Sequence, residues 1–261
     1  MDFLRLIKEK LSKDLGSLTK KISEMSPEVE AEKAKHLMRL REHLKKIISN
    51  QGLTNKEVLK KLFWLYYLNQ RHFRNSNSVW GKYMSYWDFN FRHICAIVEQ
   101  MRKFPQGTII LSPIAGNCLL EAILERLGYR VLANDIKERD FTFMTAPISR
   151  MDGTAFVSQF VSANPSVPFV LLMSWAPMIG HNTSEIGTHL MQFAARTTSC
   201  QCVFHISEGR GGCTDVEETF NVIDRSFREV WQFGRYPSLF DTVSMFKPLC
   251  DALFCLVPVR K

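Results

Sequence analysis

Residues 107–137, GTIILSPIAGNCLLEAILERLGYRVLANDIK, constrain the fold more than any other stretch of the chain. Residues 108–111 are a short apolar run rich in β-branched side chains, the pattern of a buried strand. A breaker cluster with one proline and one glycine fills 112–117. Leu119, Leu120, Ile123, Leu124 and Leu127 then recur at helical spacing, and Gly128 supplies a C-terminal stop. Residues 131–133 are a second apolar strand, with Asp135 just past its end. Strand, tight turn, helix and strand make one half of a nucleotide-binding α/β unit.

Strands and helices keep alternating downstream. Residues 169–174 read as a buried strand, 181–195 as a helix and 202–207 as a strand. Residues 214–227 read as a helix opened by a Thr214-x-x-Glu217 capping box. Residues 242–246 and 253–257 read as two final strands with a short connection, which predicts an antiparallel hairpin. The expected sheet is therefore α/β and mostly parallel, with a C-terminal antiparallel hairpin. Upstream, the first hundred residues carry helix signals only. Phe3, Leu4, Ile7, Leu11, Leu15, Leu18 and Ile22 share one helical face. Ser26 and Pro27 start a second helix that runs to about Ser49, and Thr54-x-x-Glu57 caps a third. Residues 72–86 read as an aromatic and basic loop, and 87–104 as a helix leading into the first strand.

Charge divides the chain at the same place. Residues 1–105 hold 21 basic and 11 acidic side chains, net +10, whereas 106–261 hold 13 and 15, net −2. The expected organisation is a basic helical region, 1–105, followed by an α/β domain, 106–261. The positive region suits nucleic acid or an acidic protein partner, and the aromatic and basic stretch at 72–86 could add base stacking. Lysines that merely solvate helix faces would leave the same charge. Helices in the first fifty residues could also pair with a partner helix. No apolar run is long enough to span a membrane, and the charged N-terminus does not read as a secretory signal. Seven scattered cysteines point to reduced thiols in a cytosolic or nuclear compartment. Cys200-x-Cys202, the tightest pair, reads as buried strand residues rather than a metal site.

Ligands of open α/β sheets sit where the strands end. Four segments fall there: Ser112 to Asn117, Asp135, Asp152-Gly153 and Ser174-Trp175. Each has a plainer reading. Asp152 could cap a helix over 153–161, and Trp175 could simply pack. The turn at 209–214, glycine-rich and basic, could form an anion nest or be only a flexible connection.

In their order these segments resemble class I S-adenosylmethionine-dependent methyltransferases, over about residues 83–261. More narrowly, the chain is similar to a poorly characterised branch of that family. The residues that carry the likeness are Leu120-Glu121, Gly128 through Val131 with Ala133 to Asp135, Ser174-Trp175-Ala176-Pro177, and Ser207-Glu208-Gly209-Arg210-Gly211-Gly212-Cys213-Thr214. The resemblance implies a Rossmann-like sheet and S-adenosylmethionine as cofactor. It implies that Ser112, Ala115, Gly116 and Asn117 lie by the methionine part. Asp135, with Ile136 beside it, would hold the ribose, and Asp152-Gly153 would border the adenine. Ser174 and Trp175 would face the methyl acceptor, with Glu208 the nearest base and His181 a second candidate more suited to capping. Where the family has Gly-x-Gly-x-Gly, this chain has Ile114, Gly116 and Cys118, so two side chains are expected to crowd the loop. Ala176 replaces one proline of the Trp-Pro-Pro segment. The competing expectation is a sheet that has lost catalysis and serves as a binding module.

Overall fold

The computed structural model describes residues 27–73, 91–174, 185–207, 216–233 and 252–260. Among the described residues three helices come first: α1 (Pro27–Ser49), α2 (Asn55–Phe73) and α3 (Phe91–Met101). Thr54 and Glu57 form the expected capping box at α2. The Glu57 carboxylate accepts from the Thr54 N–H at 2.8 Å, and Thr54 Oγ1 accepts from the Glu57 N–H at 3.3 Å. Then follow β1 (Ile109–Ser112), α4 (Leu119–Arg126), β2 (Val131–Ala133), α5 (Gly153–Ala163), β3 (Phe169–Ser174), α6 (Ile186–Arg196), β4 (Cys200–Ser207), α7 (Glu217–Ser226), β5 (Phe227–Phe233) and β6 (Ala252–Pro258).

Among the described residues six strands form one mixed sheet in the order β2-β1-β3-β4-β6-β5. β2, β1, β3 and β4 run parallel, and β6 is antiparallel to both β4 and β5. An α/β sheet that is parallel until a closing hairpin matches the expectation. The hairpin's members differ from it. β6 pairs with Phe227–Phe233, a stretch expected to lie beyond a helix, and 242–246 lies outside the described residues. A register shift between Glu229 and Trp231 explains the miss, because a bulge breaks the two-residue alternation by which a strand is recognised. Between β2 and Asp152 the chain makes one isolated parallel bridge, Asn134 to Ser149. α7 begins at Glu217 with Val216 as its N-cap and no side-chain cap, and Thr214 of the expected capping box lies outside the described residues.

Strand alternation sends side chains to two cores. One face carries Ile110, Val170, Leu172, Phe204, Ile206 and Leu253, packed with Leu37, Leu44, Val58, Leu62, Ile94, Ile97 and Ile123 from α1 to α4. The other carries Ile109, Leu111, Phe169, Leu171 and Met173 beneath α5, α6 and α7. The basic helices therefore cover a sheet face, and the hydrophobic effect ties them to the α/β part. Polar contacts fix the docking. Arg126 donates to the carbonyls of Asn50, at 2.9 Å, and Leu53, while Asn55 donates to the Leu127 carbonyl at 3.0 Å. A bulge opposite Val170 puts Cys200 in one core and Cys202 in the other, so the two thiols do not converge. Among the described residues no three His, Cys, Asp or Glu side chains could hold a metal, and no helix is long and apolar enough to cross a membrane.

Candidate functional site at the strand ends

β1 stops at Ser112, and the chain turns through Pro113 to Cys118 before α4. The turn leans on the end of β2. Ala115 N–H donates to the Asn134 carbonyl at 2.9 Å, and Asn134 N–H donates to the Ser112 carbonyl at 2.8 Å. Gly116 adopts φ +58°, the left-handed region that glycine enters without penalty. Its N–H donates to Asp135 Oδ2 at 2.7 Å. The second carboxylate oxygen of Asp135 accepts from the Lys137 N–H at 2.9 Å. Loop and acid, nineteen positions apart, thus meet directly.

Asp135 is 6 % exposed yet keeps acceptor capacity. A carboxylate offers about four acceptor positions. Two are taken by the backbone N–H groups, and Arg139 Nη2 stands 3.4 Å from both oxygens. That is longer than a tight ionic hydrogen bond, which makes Arg139 the contact most easily exchanged for an incoming hydroxyl. Ile136, next in the chain, is 56 % exposed and leaves an open apolar surface beside the acid.

Asp152 does cap a helix. Its Oδ1 accepts from the Thr154 and Ala155 N–H groups at 2.9 and 3.0 Å, opening α5. Gly153 is held by close approach. A Cβ there would stand 2.9 Å from Ile186 Cδ1 and 3.1 Å from the Pro113 carbonyl oxygen, so only glycine lets α5 lie against the β1 loop. The residue that joins all three segments is Asn134. It is fully buried; Nδ2 donates to the carbonyls of Pro113 and Met151, both at 2.9 Å, and Oδ1 accepts from the Met151 N–H at 3.2 Å. One amide thereby links the β1 loop, the end of β2 and the approach to α5.

Ser112 serves another role. Its hydroxyl is buried and donates to Glu121 Oε1 at 2.7 Å. Burial, opposed by the Ser112 hydrogen bond, pushes the Glu121 carboxyl up to about 7, and the negative Asp135 adds to the rise. Asn117 is buried, its carbonyl accepting from Phe143 N–H at 2.9 Å, and Ala115 packs against the core on the α4 side. Ser174 ends β3 and pairs with Ile206 of β4. Trp175, His181, Glu208 and the turn at 209–214 lie outside the described residues.

The two departures from a glycine-rich loop behave differently. Cys118 is the N-cap of α4, sits at φ +58° and is fully buried. Ile114 keeps negative φ and packs against the opposite core. Cys118 is therefore the strained position, at roughly 1–2 kcal/mol for a side chain in the left-handed region. Cys118→Gly should leave stability within about 1 kcal/mol, because lost burial offsets relieved strain. Cys118→Val should cost about 3 kcal/mol, since a β-branched residue fits that conformation worst. Urea unfolding of the two variants measures the difference.

No protein-family model matches the chain, and no curated protein is significantly similar to it.

Proposed function

We propose that this chain is an S-adenosylmethionine-binding, methyltransferase-like protein with a Rossmann-like sheet and an acceptor still to be assigned. The observation that carries the reading is the junction of Gly116 with Asp135 beyond the ends of β1 and β2, with Asp152-Gly153 packed against the same loop. The antiparallel β6 between β4 and β5 supports it as well, because a dinucleotide dehydrogenase sheet ends on a parallel strand. The residues present fit the cofactor. Asp135 would accept from the ribose hydroxyls as Arg139 gives way. Ile136 would lie under the adenine, and the free oxygen of Asp152 would border it. The Gly116 turn would take the methionine part. The cofactor supplies an activated methyl group, so positioning an acceptor beside Ser174 and Trp175 can supply much of the rate. Glu208 would serve as base where the acceptor needs one.

Titration calorimetry with S-adenosylmethionine and S-adenosylhomocysteine tests the reading. Saturable heat is expected, and Asp135→Ala should weaken binding about a hundredfold through two lost charge-assisted hydrogen bonds. Because that variant also releases the Gly116 N–H, Ile136→Asp serves as a second probe. It lies on the surface and should weaken binding while leaving the melting temperature unchanged. Absence of both heat and thermal shift at saturating ligand would sink the proposal. The second reading, a binding module that has lost catalysis, is favoured by one observation: both Asp135 oxygens already have partners within the chain. In that reading the basic helices make the functional contact, to nucleic acid or an acidic protein.

A further inference from the structure

α2 presents an apolar face that the rest of the described chain does not bury. Val58 and Leu62 turn into the core and are fully buried. One step around the helix, Phe63 is 41 %, Trp64 49 %, Tyr67 57 % and Leu68 72 % exposed. The aromatics form one group. Phe63 and Trp64 meet edge to face at 5.6 Å, Phe63 and Tyr67 stack at 6.1 Å, and Trp64 and Tyr67 meet edge to face at 6.0 Å. Phe91 of α3 closes the group from behind at 5.5 Å from Phe63. Exposed Lys56, Lys60 and Lys61 lie on the preceding turns, with Lys60 and Lys61 three or four positions from Trp64. Glu57 is the single acid of α2 and is tied to Thr54 at the N-terminus. Residues 27–73 hold ten Lys and Arg against five Asp and Glu.

We propose that this face binds single-stranded nucleic acid, with bases stacking on Trp64 and Tyr67 and phosphates neutralised by Lys60 and Lys61. An aromatic platform flanked by lysines is the arrangement that single-strand binding calls for, since every base offers a π-face and every linkage a charge. Charge selects this occupant over two others. A second copy would bring the same lysines into opposition. The chain's own first 26 residues, with six basic and four acidic side chains, are also net positive. The inference stands apart from cofactor binding, so the failure of either leaves the other intact.

The test is fluorescence anisotropy of a labelled single-stranded oligonucleotide of about 20 nucleotides, a few site sizes long, titrated with the full chain. Saturable binding is expected, weakening steeply as salt rises from about 50 to 200 mM. Trp64→Ala with Tyr67→Ala should raise Kd by at least tenfold, the loss of roughly one stacked base. Lys60→Glu with Lys61→Glu should weaken binding and lower the salt slope by about two. All four positions are exposed, and an unchanged melting temperature verifies the fold. Lack of binding at low salt overturns the proposal. So does an aromatic variant that binds as well as the parent, which would reduce the surface to unspecific charge. Displacement by polyglutamate as effective as by unlabelled oligonucleotide would assign the face to acidic proteins. A dimer dissolved by the aromatic variant would assign it to a second copy.

Discussion

Asn134→Ala is expected to lower unfolding free energy by about 4 kcal/mol, the sum of leaving two carbonyls and one N–H unpaired in the interior. For a chain of this size that is roughly 10 °C in melting temperature. The three groups are the carbonyls of Pro113 and Met151 and the N–H of Met151. Asn134→Asp sharpens the test. The ionised side chain has the same shape but only accepts, so it would face two carbonyl oxygens. Its destabilisation should exceed that of alanine near neutral pH and shrink in acid as the carboxyl protonates. Equal stability of parent and alanine variant would mean that other groups tie the strand ends together.

Stability should also depend on pH through Glu121. Its carboxyl titrates at about 7 in the fold and near 4.5 when unfolded. The native state therefore holds a proton that the unfolded chain releases between these values. Unfolding free energy is highest below about pH 4.5 for this group and falls as pH rises through 7, by about 3 kcal/mol in all. Glu121→Gln, which keeps a neutral partner for Ser112, should match the parent in acid and exceed it by about 2–3 kcal/mol near pH 8. Urea midpoints across that range give the slope. His93 works in the opposite sense. Burial lowers it to about 4, so its contribution is full above 6.5 and is lost as pH falls through 4. In the parent the two slopes oppose each other between about pH 4.5 and 6.5, and the glutamine variant should uncover the histidine's.

The frame was legible where periodicity carried it. Leu119, Leu120 and Ile123 marked α4, Gly128 marked its end, and the apolar run after it marked β2. Position also put Asp135 just past the end of β2. What spacing does not encode is which partner a polar group finds. Asn134 stood in the sequence as the unremarked residue before the acid, yet it bonds to residues on both sides, at 113 and 151. Glu121 was visible only as half of a Leu-Glu pair. Its contact with Ser112 exists because the first turn of α4 folds back over the end of β1. Asp152 had two readings of equal standing, and the N–H groups of α5 took it as a cap. Ser112 read as part of the ligand loop, but its hydroxyl points to Glu121. The strand at Phe227–Phe233 was lost to a bulge, an irregularity that removes the very alternation a reader relies on.

The two ends of the sheet bear on how the molecule avoids joining its neighbours. β2 is only three residues long, and its continuation is taken up by the bridge from Asn134 to Ser149. β5, outermost on the other side among the described strands, carries exposed Arg228 and Glu229, followed by a register shift before Trp231. Short length, charge and a bulge each spoil a strand as a template for another chain. Among the described residues, both outer strands are thus poor templates for growth of the sheet from molecule to molecule.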